Sequence, residues 1–330
     1  MLCRHPLSRL PFCLLVILLT VGAAAAHDAT PTPRAPVPAN EIRLPVVLSP
    51  APPGDLPDAP IVYGDKILYW GPGTTPLPEI VTIRPDGTGK TQRTFGGTVA
   101  QYATQPAWSP DHERIAYNLF DRFGGRLTII ELNGDARRGD GPFGLAWLGD
   151  AAWSPDGQRL AFVGVEPDPD DPDIWITTPA LVEATNLTPY LSSNDSDPAW
   201  SPDGARIVFR HEYHNGISLR AELAIMSDSG GDIIPLPSTG PDASAPDWSP
   251  DGATILYTGD VAGGGRGLFT VPVGGGAPTL LLPGATDGAW SPDGRYLVFV
   301  GADGRLYVAH ADGGGAFLID PSPYTATPDW

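Results

Sequence analysis

The sequence predicts an all-β fold, a six-bladed β-propeller of four-stranded antiparallel blades closed by the C-terminal strand, on three observations. Trp-Ser-Pro-Asp-Gly or a near relative begins at Trp108, Trp153, Trp200, Trp248 and Trp290, in steps of 45, 47, 48 and 42 residues, with 40 more to Trp330. A period in the forties that carries an aromatic and a turn signal in each copy marks blades around an axis rather than one core. Each motif is followed by runs of branched and aromatic residues, the composition of strands. Apolar residues never hold a helical spacing over ten or more positions, so no long helix is expected.

Taken in chain order, residues 1–26 read as a secretory signal. Arg4 and Arg9 give a positive start, Phe12–Val21 is apolar, and Ala24-Ala25-Ala26 offers a small-residue cleavage site. Cys3 and Cys13 both fall in this segment, so the mature chain has neither a disulfide framework nor thiolate chemistry. Residues 27–60 hold Thr-Pro-Thr-Pro, Ala-Pro-Val-Pro and Ala-Pro-Pro-Gly, and so form an extended linker that cannot hold a core. Residues 61–330 remain for the propeller, as a single domain.

The first blade is irregular. Lys66–Trp70 matches a second strand, and Ile80–Gly89, ending in Arg-Pro-Asp-Gly-Thr-Gly, matches a third strand and its hairpin. No motif Trp lies nearby, yet the chain ends in Thr-Pro-Asp-Trp, which parallels Asp-Pro-Ala-Trp at 197–200 and Ala-Pro-Asp-Trp at 245–248. The C-terminal segment is therefore expected to supply the innermost strand of this blade, which leaves no loose edge.

In the other five, Ser-Pro-Asp-Gly is a turn: Pro presets φ, Asp bonds its own backbone and Gly takes the left-handed conformation. Second strands follow at Arg114–Tyr117, Arg159–Phe162, Arg206–Phe209, Thr254–Tyr257 and Tyr296–Phe299. Third strands with Gly-rich hairpins follow at 129–135, 174–180, 223–231, 268–276 and 306–315, and a fourth, irregular strand leads towards the next Trp. The Trp rings are expected to fill the wedges between blades. Where the other copies have Gly, one has His112, which predicts either a strained left-handed residue or a rearranged turn.

The repeat resembles the WD-like β-propeller repeat of the TolB-like family, over roughly residues 61–330. The resemblance implies the fold and a binding role without fixing a partner. The α/β domain that precedes the propeller in TolB has no counterpart in the signal and the Pro-rich stretch.

The chain carries a formal charge of −18, which becomes −20 once Arg4 and Arg9 leave with the signal. Such acidity excludes nucleic acid and anionic lipid as partners and favours a cation or a basic protein segment. On a propeller the motif turns open on one face, and the loops between second and third strands open on the other. The variable loops 71–78, 118–126, 164–172, 211–219 and 259–267 are thus where function belongs.

The acids there are Glu166, Asp168, Asp170, Asp171 and Asp173 in one loop and Asn194, Asp195 and Asp197 in the approach to Trp200. His211, Glu212 and His214 follow Phe209, and Asp150, Asp197 and Asp287 stand three residues before a motif Trp. Two readings stay open: a solvated acidic rim with no cofactor, or convergence of Asp168, Asp170, Asp195 and Asp197 on a calcium ion, the imidazoles favouring a transition metal instead. The candidate partner- or cation-binding residues are Asp150, Asp168, Asp170, Asp195, Asp197, His211, His214 and Asp287.

No Gly-x-Ser-x-Gly elbow occurs, and the Gly runs recur with the hairpins rather than opening a helix. The function expected is a non-catalytic, monomeric, secreted or cell-envelope module that binds a protein or peptide of basic character, with no membrane insertion of the mature domain. The alternative, implied by the family, is a metal-dependent polysaccharide lyase-like enzyme at the channel mouth. It needs His211, His214 and Asp197 within ligand distance of one another, and the net charge opposes an acidic sugar. A second enzymatic version, with a peptidase domain after the propeller, fails for want of residues beyond Trp330.

Overall fold

The computed structural model describes residues 54, 56–67, 77–94, 102–121, 124–132, 136–137, 145, 147–166, 171–189, 193–214, 219–240, 242–322 and 326–330. The expected signal and most of the expected linker (residues 1–53 and 55), residues 68–70, Asp168 and Asp170 lie outside the described residues. Among those described there is no helix, and hence none long and apolar enough to cross a membrane.

The chain is an all-β propeller of four-stranded antiparallel blades. It begins with β1 (Ile61–Ile67), β2 (Leu77–Ile83) and β3 (Thr91–Gln92). Five blades then use consecutive strands. The first is β4 (Tyr102–Trp108), β5 (Arg114–Asp121), β6 (Gly124–Glu131) and β7 (Ala136–Arg137). The second is β8 (Trp147–Trp153), β9 (Leu160–Val165), β10 (Pro172–Thr177) and β11 (Ala184–Asn186). The third is β12 (Ser193–Trp200), β13 (Arg206–His214), β14 (Leu219–Ser227) and β15 (Ile234–Pro235). The fourth is β16 (Ser244–Trp248), β17 (Thr254–Asp260), β18 (Arg266–Pro272) and β19 (Thr279–Pro283). The fifth is β20 (Thr286–Trp290), β21 (Tyr296–Val300), β22 (Leu306–His310) and β23 (Phe317–Asp320).

The last strand, β24 (Ala326–Asp329), joins the beginning of the chain in a sheet of order β24-β1-β2-β3. Val62 pairs with Asp329 and Gly64 with Ala326. The innermost strands touch in a closed cycle, β4 to β8, β12, β16, β20, β24 and back to β4, so they enclose an axis. The expected second strand at 66–70 begins earlier, at Ile61. Its partner is an apolar strand, and the pairing runs back to Ile83.

The segment that ends in each motif Trp is the innermost strand of its own blade. The fourth strand is a separate outer piece of two to five residues.

Core packing lies between blades. Ala116, Leu127 and Ile129 of one blade pack with Trp153, Leu160 and Phe162 of the next. Ile61, Val81 and Ile83 pack with Tyr296, Val298, Val308 and Trp330, which seals the two chain ends together. Each Trp fills a wedge, as its size dictates, and three also tie neighbouring blades. The Nε1 atoms of Trp153, Trp200 and Trp248 donate to the carbonyls of Ala107, Ala152 and Ala199 at 3.2 Å. On the other side of these rings lie the guanidinium groups of Arg114, Arg159 and Arg206, at 4.5, 4.6 and 4.7 Å from the centroids. Each comes from the strand after the preceding motif turn.

Trp108 has no motif turn before it in the ring, because the preceding blade is the composite one. His112 covers its ring instead, with centroids 5.4 Å apart. The turn is kept, with φ +54° at His112 against +67° to +70° at Gly157, Gly204, Gly252 and Gly294. An L side chain there costs about 1–2 kcal/mol, and the ring contact returns about 0.5–1.5 kcal/mol. His112→Gly should therefore change stability by less than about 1 kcal/mol, while His112→Ala keeps the strain, loses the contact and is the less stable of the two. Equal urea midpoints for the two variants would count against this account. Gly204→Val is expected to cost roughly 2–3 kcal/mol from left-handed strain, since a Cβ at Gly204 would also stand 3.3 Å from Pro155 Cγ.

Candidate functional site

Every inner strand carries the same irregularity three residues before its Trp. Gln105, Asp150, Asp197, Ala245, Asp287 and Thr327 all have φ between +44° and +54°. In each of the five consecutive-strand blades the pairing register shifts there, as at Thr104/Ala107 and Ser196/Ala199. This is a β-bulge: the extra residue is released from the ladder and turned towards the axis.

Chemistry at this level follows a simple rule. Gln105, Asp150, Asp197 and Asp287 stand three before the Trp, with Ala107, Ala152, Ala199 and Ala289 one before it. In the other two strands the positions exchange: Ala245 and Thr327 are followed by Asp247 and Asp329. Each inner strand thus contributes one amide or carboxyl group, never two.

These groups bond across blade boundaries. Gln105 Nε2 donates to Asp150 Oδ1, and Asp150 accepts the backbone N–H of Asp197. Asp197 Oδ2 accepts the N–H of Ala245 at 3.0 Å. Ala245 has nothing to offer the following blade, and the N–H of Asp287 turns to Thr258 Oγ1 at 3.0 Å. Asp247 Oδ2 accepts from Trp290 N at 2.8 Å, and Asp329 Oδ2 from Trp108 N at 2.7 Å.

All five acids keep partial solvent contact yet lie deep among protein atoms. Burial is the main cause of their high pKa values, since it penalises the charged form. Asp150 is pushed up to about 8, with Asp197 adding repulsion. Asp247 rises to about 7 and Asp329 to about 6. Asp197 and Asp287 are raised by burial too, each opposed by an arginine, Arg210 and Arg266 respectively.

A second cluster sits further along β12. Asp195, fully buried, accepts from or donates to His211 Nδ1 at 2.6 Å, directly across the β12–β13 pair. The imidazole stacks on Tyr213 at 4.9 Å and meets the edge of Phe209 at 5.9 Å. Ser193 Oγ donates to Asp195 Oδ2 at 3.5 Å. Asp173 lies near Asp195, held by Asn186 at 2.7 Å and Thr188 at 3.3 Å, and burial raises it to about 6.

Several expectations need correction. Asp195 and Asp197 are not loop residues but lie within β12, and His211 lies within β13, because the ladder continues past the bulge. His211 Nδ1 bonds Asp195 and Asp197 Oδ2 bonds the next blade, while of His214 only the backbone, paired with Leu219, is described. Asp168 and Asp170 lie outside the described residues. Among the described residues no group of three or more His, Cys, Asp or Glu side chains is close enough to hold a metal ion. The structure brings Asp150 to Asp197, and Asp195 to His211; Asp287 faces Asp197 at longer range.

Sequence reasoning missed Gln105, Asp247 and Asp329. The Pro-Asp-Trp tripeptides at 246–248 and 328–330 were the available signal for the last two.

Comparison with known proteins bears on the whole ring. None of the curated proteins matches. TolB from Acinetobacter baumannii superposes with a TM-score of 0.69 at 20% identity, over 82% of this chain and 66% of that one. A putative TolB from Agrobacterium tumefaciens gives 0.59 at 21% identity, over 79% and 88%. An oligogalacturonate lyase in complex with manganese gives 0.52 at 16%, over 74% and 70%. At these identities the likeness is one of fold, and this chain spans just under two thirds of the Acinetobacter protein. The family model described as the TolB beta propeller domain matches residues 85–319, most of the chain. The chain belongs to the TolB beta-propeller domain family.

Proposed function

We propose that this protein is a non-catalytic binding propeller of the cell envelope or the secreted fraction, a ring of six blades with the composite sheet as its closure. It takes a protein or peptide of basic character on its acidic axial side. The observation that carries this reading is the set of five partly exposed carboxyl groups on the inner strands, in a chain of charge −18. Burial makes their ionisation costly, and a cationic group from a partner offsets that cost.

The test is capture of envelope proteins on the mature chain at rising salt, with and without calcium, beside an Asp150→Asn/Asp197→Asn/Asp287→Asn variant. Capture should fall with ionic strength and be lost in the variant. Capture indifferent to both salt and the three substitutions would sink the reading. Calcium that raises the melting temperature beyond matched sodium chloride would restore the cation reading of the same acids.

The Asp195–His211 pair favours one second reading. A buried carboxylate that orients an imidazole is the arrangement of a general base, and the superposed lyase is an oligogalacturonate enzyme. Appearance of unsaturated product from oligogalacturonate, lost in His211→Gln, would establish it.

A further inference from the structure

We propose that the axial wall between β4 and β8 is a subsite for a primary ammonium group, the side chain of a lysine or a chain-terminal amine. This deepens the binding role above and rests on it.

The starting point is two oxygens without partners. Thr104 and Asn118 face each other directly across the β4–β5 pair, on the same face of the sheet. Asn118 is fully buried, and its Oδ1 has no hydrogen-bond partner; neither has Thr104 Oγ1. Leaving a buried acceptor unmet costs about 1–3 kcal/mol, so two at one register point to a donor that comes from elsewhere. The same Asn118 amide donates from Nδ2 to Gln105 Oε1 at 2.5 Å, and Gln105 in turn donates to Asp150. The orphaned oxygens are thus continuous with a ring carboxyl that burial pushes up. Thr104, Gln105, Asp150 and Asp197 all keep some solvent contact, and the two oxygens lie covered just beneath that surface, so a donor reaches them only as the side chains above yield.

The donor's chemistry is constrained by what is present. Among the described residues no three carboxylates or imidazoles converge, and two of the candidate oxygens are a neutral amide and a hydroxyl. A divalent ion needs six or more oxygens around one point or several retained waters. A guanidinium needs an open pair of carboxylate oxygens for its fork. Asp150 is already engaged by Gln105 and by the Asp197 amide, so no open pair is left. An ammonium has three rotatable donors, accepts neutral oxygens, and on its four-carbon stem can be lowered along an axis. Its charge would let Asp150 and Asp197 ionise without mutual repulsion.

The experiment is a titration of the whole chain followed by the backbone amide resonances of Asp197 and Ala245, which report the Asp150 and Asp197 carboxyls. The probes are acetyl-Gly-Gly-Lys-Gly-Gly-amide, its norleucine counterpart, free-amine Gly-Gly-Gly-amide, and calcium chloride, each against sodium chloride at equal ionic strength. The expected result is saturable movement of both amides with the lysine peptide and none with norleucine. Response to the free-amine peptide decides whether a chain terminus also fits. Thr104→Val and Asn118→Leu should weaken binding several-fold and Asp150→Asn at least tenfold, while Asp232→Asn on the exposed outer hairpin leaves it unchanged. Thr104→Val is nearly isosteric and keeps the test valid should Asn118→Leu not fold.

Equal response to lysine and norleucine, a response reproduced by sodium chloride, or saturation by calcium with none by the lysine peptide would each overturn the proposal. In those cases the two oxygens hold only water or a metal ion. The salt-dependent capture experiment reads the whole acidic side, so loss of the subsite and loss of the binding role are separable outcomes.

Discussion

Deletion of Thr327–Trp330 is expected to lower the melting temperature by roughly 10 °C or more, whereas trimming residues 28–55 should leave it nearly unchanged. The four residues carry three separate ties. Trp330 is buried against Tyr296, with centroids 6.5 Å apart, and its Nε1 donates to Ala59 at 3.1 Å. Asp329 accepts the N–H of Trp108 at 2.7 Å, which binds the closing strand to the next blade. The β24–β1 pairing is what makes the composite sheet four-stranded.

Loss of a buried Trp alone costs about 3–5 kcal/mol. At about 2–4 °C per kcal/mol for a chain of this size, that accounts for most of the shift. The outer contact, where Lys90 Nζ meets Asp320 Oδ2 at 2.7 Å and Ser322 Oγ at 2.9 Å, remains in the truncated chain and holds the rim. It joins one half-exposed lysine to one buried carboxylate, a single tie that does not replace a buried Trp and a strand pairing. Equal melting temperatures for the two truncations would show that the ring does not depend on its C-terminal strand.

Raising the pH from 7 to 8.5 is expected to destabilise the folded chain by roughly 2 kcal/mol, at about 1.4 kcal/mol per pH unit for each carboxyl that gives up its proton over this range. The sign follows from the direction of the shifts. Burial raises Asp150 to about 8 and Asp247 to about 7, so the folded state holds protons that the unfolded state has already released. Stability from such groups is fully present below the unfolded carboxyl pKa and is lost as the pH climbs through the folded value. His112, whose pKa burial lowers, is mostly neutral in both states above pH 7 and adds only a small opposite slope there. Because Asp150 and Asp197 repel each other, they titrate as a pair. Asp150→Asn keeps an acceptor for the Asp197 N–H and cannot ionise. It should flatten the profile and be the more stable protein at pH 8.5. Urea midpoints measured across this range check it; a wild-type slope that persists unchanged in Asp150→Asn would refute the assignment to the ring.

The sequence by itself determined the blade architecture, the place of the turns and the direction of closure. The reason is that these are local: Pro, Asp and Gly fix a turn over four residues, and the Trp spacing repeats it. Gly157, Gly204, Gly252 and Gly294 were legible as left-handed for that reason, and the strain at His112 as well. The purpose of His112 was not legible, since it covers Trp108 only because the preceding blade is assembled from both chain ends.

The candidate site was read in part. Asp150, Asp197 and Asp287 stood out by their fixed distance from the Trp, and His211 and Asp195 by their neighbours. Whether an acid lies in a loop or in a strand depends on how far pairing runs beyond a bulge, and this is why Asp195, Asp197 and His211 were misplaced. Asp247 and Asp329 enter from a position two residues further along and bond the N–H of the following Trp instead. The pairing of Asp195 with His211 and the unmet oxygens of Thr104 and Asn118 are properties of cross-strand register, and the tertiary structure alone decides them.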